Sequence, residues 1–338
     1  MMRAALHKHG ALLATALVFA ALYLGAAAIY DGFFSPRVFI GFFADNAFLG
    51  IAAVGMTFVI ISGGIDLSVG AVIGCASIML ATLIESGGWH PLAAATAVLV
   101  FGALLGASMG ALIHAFELPP FIVTLAGMFF ARGLGMVVHQ ESIAIRHEFL
   151  TGLHELPGTL AGALGLPESA VEVAATFAPV TAMVFVIIAI AAAAMARWTT
   201  FGRHIYAVGG REESARLMGL PVGRTKIQVY AFSGLCSALA GIVYALYTFS
   251  GNPTAGTMLE LDAIAAAVIG GALLTGGVGT IAGTVLGVLI FAVIQTAIVF
   301  DGRLSSWWVR IAIGVLLLVF LAAQRLIRRT LSIASPDA

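Results

Sequence analysis

Apolar stretches long enough to cross a membrane recur along the whole chain. A helix of roughly 20 apolar residues spans the roughly 30 Å hydrocarbon core of a bilayer. Only 9% of the 338 residues are charged, whereas soluble domains carry roughly 25%. The sequence therefore predicts an all-α, polytopic helical membrane protein, a single domain over residues 1–338 with about ten spans. The predicted spans lie near residues 11–30, 40–61, 67–84, 91–115, 120–138, 179–196, 227–248, 259–275, 280–299 and 307–324.

The first apolar stretch has a second interpretation, as a cleaved signal peptide. Arg3 and Lys8 precede it, and the three alanines at 26–28 resemble a cleavage site. The run of about 20 residues is long for a signal peptide, so a retained first helix is favoured.

Basic residues predict the orientation. They cluster in the N-terminal segment, in segment 197–226 and in the C-terminal tail, and an even number of spans places all three on one side. The positive-inside rule makes that side the cytoplasm, with both termini inside. Segment 139–178 then faces the outside, and its five glutamates against one arginine agree with that placement.

A glycine-rich pattern occurs twice. The stretch SGGIDLSVGAVIG (62–74) aligns without gaps with TGGVGTIAGTVLG (275–287). Transporters often contain internal repeats with substrate sites at the repeat interface, although tight helix connections also use glycine independently. We predict a repeat with helix junctions at Gly63, Gly64, Gly70, Gly276 and Gly277.

Asp66 and Ser68 lie inside the first glycine-rich stretch. One interpretation is structural, since an Asp before a helix caps it by accepting an N–H of the next turn. The other is a polar patch on the transport path, because ionisable groups at membrane depth are functional candidates by default. The two interpretations are compatible, and the predicted span boundaries place the motif near the inner interface.

Five further polar positions are candidates. Asp45 and Asn46 open the second predicted span, and Glu260 and Asp262 open the eighth. Most such residues are solvated helix starts favoured by the helix dipole, and the alternative is ligand contact. Gln295 lies deep in the ninth span, where its amide could bind hydroxyls or a neighbouring helix. The candidates for the translocation pathway or its gate are Asn46, Asp66, Ser68 and Gln295.

Arg132 lies inside the fifth predicted span. Such an arginine needs a partner or a route to the interface, so packing or snorkelling is favoured over a transport role. Trp307 and Trp308 beside Arg310 are typical of an outer interfacial anchor.

The sequence contains no catalytic motif. The phosphate-binding pattern G-x-x-x-x-G-K-[ST] is absent, and no Cys/His cluster has metal-ligand spacing. No G-x-S-x-G stretch stands in a Ser-His-Asp context that would suggest an esterase. Cys75 and Cys236 lie in apolar segments and are interpreted as packing residues. We expect no enzymatic activity, no metal and no cofactor in this chain, so any ATP hydrolysis belongs to a partner.

The most informative polar piece is FGRHIYAVGGREESARLMGLP (201–221). A short helix is predicted from Glu212 to Met218, with Gly219 as its stop and Pro221 preventing continuation. A helix in a basic cytoplasmic loop could lie on anionic lipid or dock into another protein. Exposed Leu217 and Met218 favour docking.

Five motifs stand out along the chain, namely ISGGIDLSVGAVIG, IVTLAGMFFARG, RHIYAVGGREESARLMGL, AVIGGALLTGGVGT and LSSWWVRIAIG. Together they resemble the membrane subunits of ribose-type sugar ABC importers, within the branched-chain amino acid and ribose permease family. The resemblance covers residues 38–326. The stretches DNAFLGIAAVGMTFVIISGGIDLSVG and ESIAI are most similar to the permeases of galactofuranose importers.

The resemblance implies an inner-membrane protein with several partners: an ABC ATPase, a second homologous permease in a heterodimer, a periplasmic sugar-binding protein and the sugar itself. It implies that segment 139–178 helps meet the binding protein and that GGIDLSVG lies by the central pathway. It also implies that segment 197–226 holds the element that contacts the ATPase, formed by Arg203, Gly209, Gly210, Glu213, Ala215, Met218 and Gly219.

Two alternative functions stay open, an ion-coupled secondary carrier and an ABC permease for another small polar solute. The scarcity of membrane-depth Asp and Glu pairs argues against the carrier, which usually needs ionisable relays. A path lined by Ser, Thr, Asn and small residues suits a neutral, hydroxyl-rich solute. Membrane lipid is an expected contact, and nucleic acid is not.

Overall fold

The structure, a computed structural model, describes residues 2–150, 180–305 and 307–333 and the single positions 152, 153, 156, 163 and 165. Helices account for most of these residues. In chain order they are α1 (Met2–Ile29), α2 (Pro36–Asp45), α3 (Ala47–Ile61), α4 (Val69–Ala81, extended by a π-helical turn at Thr82–Ser86), α5 (Pro91–Ala115), α6 (Pro120–Val138), α7 (Val180–Trp198), α8 (Thr200–Gly210), α9 (Glu212–Leu217), α10 (Val222–Thr248), α11 (Leu259–Ile269), α12 (Ile281–Asp301) and α13 (Trp307–Ile333).

The helices confirm a polytopic helical membrane protein. Within the described residues, seven helices are long and apolar enough to cross a membrane, or eight when α2 and α3 are counted as one bent span. Each of the ten predicted spans contains at least one helix. The number of crossings and the orientation stay predictions.

The second predicted span, 40–61, is not one helix. It breaks at Asn46, where α2 and α3 meet at a bend of 56°. The Asn46 side chain donates from Nδ2 to the Phe42 carbonyl oxygen at 3.3 Å. An amide side chain that bonds the backbone locally competes with the helical pattern, so Asp45 and Asn46 lie at a break and do not open a span.

The eighth predicted span, 259–275, is also shorter than expected. The helix α11 has only 11 residues and ends at Ile269, so it is roughly 16 Å long at 1.5 Å per residue. A turn then occupies residues 270–280. Its glycines break the helix, because Gly271 has a left-handed φ of +91°.

The centre of the molecule is formed by α3 and α4 packed against α10. All residues of α3 except Phe48 are buried, as expected for a helix that is apolar on every side. α5 lies close to α10 through Gly102, Gly106 and Gly110, where an added Cβ would overlap atoms of α10. This glycine spacing of four lets two membrane helices approach closely.

At the end of the molecule predicted to face the periplasm, two short strands pair antiparallel. They are β1 (Ile143–Ala144) and β2 (Ser250–Gly251). They join the start of segment 139–178 to the loop after α10. Other residues used for the orientation lie outside the described residues or have side chains outside them, namely Arg3, Lys8, Glu155, Glu168, Glu172, Arg325, Arg328 and Arg329.

Candidate translocation and coupling site

The first glycine turn, residues 62–68, joins α3 to α4 and holds a fully buried carboxylate. Asp66 Oδ1 accepts hydrogen bonds from the Ser68 backbone N–H at 2.9 Å and the Ser68 hydroxyl at 2.6 Å. Its Oδ2 accepts one from the Ser233 hydroxyl of α10 at 2.7 Å. Three donors compensate the desolvation of a buried charge, so Asp66 fastens the turn to α10.

The capping interpretation of Asp66 needs a correction. Asp66 does accept a backbone N–H, but α4 begins at Val69 and the residue in the cap position is Ser68, whose side chain makes no capping bond. The Asp66 bond to residue i+2 is a local turn bond, typical of Asp. Both Asp66 and Ser68 are buried, so neither lines an open path in this conformation.

The second glycine turn, residues 270–280, contacts the first. The Gly277 N–H donates to the Ile61 carbonyl oxygen at 2.8 Å. An added Cβ at Gly276 would lie 3.0 Å from the Gly63 Cα. These two aligned glycines have nearly the same φ, +84° at Gly276 and +86° at Gly63, so the two glycine-rich stretches meet at matching points of their turns.

The helices around the two turns match only in part. The alignment pairs Val69, the first residue of α4, with residue 282, and α12 begins one residue earlier at Ile281. It pairs Ile61, the last residue of α3, with residue 274, whereas α11 ends at Ile269. The likeness therefore lies in the turns and in the helices that follow them.

The end of α8 rests on both turns. An added Cβ at Gly209 would overlap the Ile61 carbonyl oxygen and lie 2.8 Å from the Gly277 nitrogen. The Tyr206 hydroxyl donates to the Gly279 carbonyl oxygen at 2.8 Å. Burial raises the pKa of Tyr206, so this hydroxyl stays protonated at neutral pH. We call these contacts, made by residues 61–66, 206–210 and 276–279, the glycine junction.

The short helix predicted in this loop is confirmed. α9 runs from Glu212 to Leu217, and Gly219 follows with a φ of +77°. Glu212 anchors it to α10 through an ion pair with Lys226 at 2.8 Å. Leu217 is 85% exposed and Met218 is 67% exposed, so two apolar side chains project from the loop.

The resemblance implied that seven residues contact an ATPase, and the structure places them in two groups. Five are exposed, namely Arg203, Gly210, Glu213, Met218 and Gly219. Ala215 is wholly buried among residues that include Val208 and Val222, and Gly209 packs on the Ile61 carbonyl. In this conformation the chain itself covers Ala215, whereas Gly209 is half-buried. Contact between the ATPase and these seven residues stays a prediction.

Gln295 lies at the opposite end of the molecule from the glycine junction. It lines a cavity of about 520 Å³ together with Asp262 of α11 and Arg310 of α13. Arg310 Nη1 donates to both Asp262 carboxylate oxygens, at 2.7 and 3.0 Å. We call this cavity the outer pocket. Trp307 and Trp308 beside it are exposed, as an interfacial anchor requires.

The remaining candidates do not converge on either site. Asn46 is buried at the bend before α3, and its side chain bonds the Phe42 carbonyl oxygen of α2. Arg132 donates from Nη1 to the Pro253 and Ala255 carbonyl oxygens, both at 2.9 Å. It therefore ties α6 to the loop before α11, which agrees with a packing role. In the described part of the chain, no group of three or more His, Cys, Asp or Glu could hold a metal ion.

The comparison with protein families decides the class of this chain. A family model described as the branched-chain amino acid transport system permease component matches residues 38–321. The chain belongs to this permease family. It is a multi-pass membrane protein, as the resemblance implied, and the family is that of the membrane component of ABC importers.

Individual relatives support the same class. The inner membrane ABC transporter permease protein YjfF of Escherichia coli K12 is 48% identical over 93% of this chain and 91% of its own. The fructose import permease protein FruG of Bifidobacterium longum is 36% identical over 81% and 78%. The ribose import permease protein RbsC of Bacillus subtilis is 37% identical over 81% and 80%. No solved structure matches the chain.

Proposed function

We propose that this chain is the permease subunit of a binding-protein-dependent ABC importer in the bacterial inner membrane, and that it moves a neutral monosaccharide. The observation that carries the proposal is the glycine junction. One cytoplasmic loop presents two exposed apolar side chains, Leu217 and Met218, and packs its preceding glycine, Gly209, on both membrane turns. A partner that binds this loop can displace it, and the two turns can transmit that displacement to α3, α4, α11 and α12.

The energy source in this proposal is ATP hydrolysis in a partner subunit. Only a partner that binds two conformations of the permease with different affinity can drive it between them. The exposed end of α9 is the contact for that ATPase, and Gly209 transmits the displacement. A bonded carboxylate at Asp66 holds the first turn to α10, so the turn and α10 move together.

Two further partners follow from the family of the chain. A second, homologous permease completes the translocation unit as a heterodimer, and a periplasmic binding protein supplies the sugar. β1 and β2 support the second contact, because they fix the start of the segment predicted to face the periplasm.

Galactofuranose is our proposal for the sugar, based on the resemblance of residues 45–70 and 141–145 to permeases of galactofuranose importers. Permease relatives named for fructose and ribose support a monosaccharide in general. An ion-coupled carrier is not favoured, because the buried Asp66 has both oxygens occupied by donors and offers no free site for an ion.

Purification from native membranes in mild detergent, with the co-purifying proteins identified by mass spectrometry, tests the proposal. We expect an ATPase and a second, similar permease. Uptake by the reconstituted complex should need ATP and the binding protein, and competing sugars should rank the substrates. A chain that purifies alone and takes up sugar down an ion gradient would contradict the proposal.

A further inference from the structure

We propose that the outer pocket is a sugar-receiving site of the permease, in which Gln295 and the Asp262–Arg310 pair bind the hydroxyl groups of a monosaccharide. The inference rests on the proposed function, because it assumes that the solute is a sugar. It adds a site on this chain, its residues and its ligand chemistry.

The first argument is the amide of Gln295. It lies in a membrane helix, α12, yet it makes no hydrogen bond to another residue of the described chain. Two amide hydrogens and a carbonyl oxygen are therefore available for a ligand. Because Gln295 lines the outer pocket, a ligand in the pocket can reach these groups.

The second argument is the charge of the lining. The pocket has one carboxylate, Asp262, and one guanidinium, Arg310, paired at 2.7 Å. The lining therefore carries no net charge and gives no advantage to an anion or a cation. Arg310 uses only Nη1 in the pair, so its other N–H donors remain for a ligand that accepts hydrogen bonds.

The third argument is the shape and composition of the pocket. Its volume of about 520 Å³ falls within the roughly 300–1,000 Å³ of small-molecule sites. Polar groups stand on three different helices, α11, α12 and α13, and apolar side chains fill the walls between them. A monosaccharide has this pattern of hydroxyl groups around an apolar ring face. The apolar wall residues are Ile298, Val299, Leu304, Val309 and Ile313.

Cysteine protection tests the inference in membranes that hold the complete permease–ATPase complex. Val299→Cys places a thiol on the pocket wall one helical turn after Gln295, at a position 76% exposed. The native Cys75 and Cys236 are buried, so background labelling by a membrane-impermeant methanethiosulfonate reagent is low. The probes are D-galactose, D-ribose, D-xylose and D-fructose, added from outside.

We expect at least one sugar to slow the labelling of Val299→Cys, by about tenfold at about ten times its Kd. The double variant Val299→Cys with Gln295→Leu should label as fast with sugar as without it. A matched control, Thr257→Cys, lies exposed in the loop before α11 and outside the pocket. It should be labelled and never protected.

The remaining outcomes overturn the inference in distinguishable ways. If the wild-type complex takes up sugar but no sugar protects Val299→Cys, the outer pocket is not a sugar site. The proposed function would still stand. If a sugar still protects Val299→Cys when Gln295→Leu is present, the Gln295 amide does not bind the sugar. Labelling blocked by phosphatidylethanolamine vesicles regardless of sugar would assign the pocket to lipid. Absence of uptake for every sugar would overturn the ligand class and the proposed function together.

Discussion

The glycine junction and the outer pocket differ in how their polar groups are satisfied. At the junction, Asp66 receives three hydrogen bonds and Gly209 packs directly on the Ile61 backbone. In the outer pocket, the Gln295 amide makes no bond to another described residue, and Arg310 keeps unused donors. A tightly packed site whose polar groups are all hydrogen-bonded can transmit a displacement. An open site with unpaired hydrogen-bonding groups can bind a ligand. Substitutions at the two sites should therefore have different consequences.

The largest effect is expected at the exposed end of the coupling loop. Met218→Asp places a charge on an apolar surface side chain, so we expect the chain to insert normally and the ATPase to be lost on co-purification. Glu213→Arg should act in the same direction, because Glu213 is exposed on α9, which Met218 directly follows. Met218→Leu is the conservative control. Normal ATPase recovery with Met218→Asp would place the docking surface elsewhere.

The next largest effect separates the two sites by stability. Asp66→Ala leaves the donors of Ser68 and Ser233 without an acceptor, so we expect a loss of about 1–3 kcal/mol in the free energy of unfolding. Gln295→Leu removes no bond to a described residue and should change it by less than about 0.5 kcal/mol. Denaturation of the detergent-solubilised chain measures both. Equal losses of unfolding free energy in the two variants would show that Asp66 and Gln295 do not differ in how strongly they stabilise the fold.

A smaller effect tests whether Asp66 acts through α10. Ser233→Ala removes only one of the donors to Asp66, and we expect a loss of about 1 kcal/mol. The double variant with Asp66→Ala should lose less than the sum of the single losses, because both remove the same bond. Ser237→Ala is the control, since its hydroxyl bonds only the Ser233 carbonyl oxygen. Strict additivity would show that the bond does not couple turn and helix.

The smallest effect concerns a side-chain contact between α3, which precedes the first glycine turn, and α12, which follows the second. The hydroxyls of Thr57 in α3 and Thr284 in α12 are 2.6 Å apart and buried. Hydrogen bonds between membrane helices contribute about 0.6 kcal/mol on average, so we expect a coupling energy of that size from a Thr57→Val, Thr284→Val double-mutant cycle. A coupling energy near zero would show that the two hydroxyls do not stabilise the packing of α3 against α12. The two glycine-rich stretches would then be joined only through their turns.

The sequence predicted the helical membrane class because hydropathy depends only on local composition. It also predicted α9, since Gly219 and Pro221 end that helix by their own backbone limits. It missed the bend at Asn46, although the pair Asp45–Asn46 inside an apolar run was a visible signal. The glycine spacing of α5, at Gly102, Gly106 and Gly110, was visible too, but the partner helix was not.

The burial of Ala215 and the packing of Gly209 against the Ile61 carbonyl could not be predicted from the sequence. Both stand in a polar loop with other residues that the structure exposes, and only tertiary contacts distinguish the two groups. The outer pocket was beyond sequence reasoning for the same reason. Gln295 and Arg310 were noticed separately, but their convergence with Asp262 requires three helices to meet.

ATP-driven sugar uptake by the complete complex carrying Gly209→Ala tests most directly whether the glycine junction couples the ATPase to the membrane turns. The added Cβ would overlap the Ile61 carbonyl, whereas the same change at the neighbouring Gly210 meets no atom within 4 Å. We expect both variants to retain the ATPase on co-purification, Gly210→Ala to transport normally and Gly209→Ala to lose uptake. Wild-type uptake by Gly209→Ala would show that displacement reaches the membrane turns by another route.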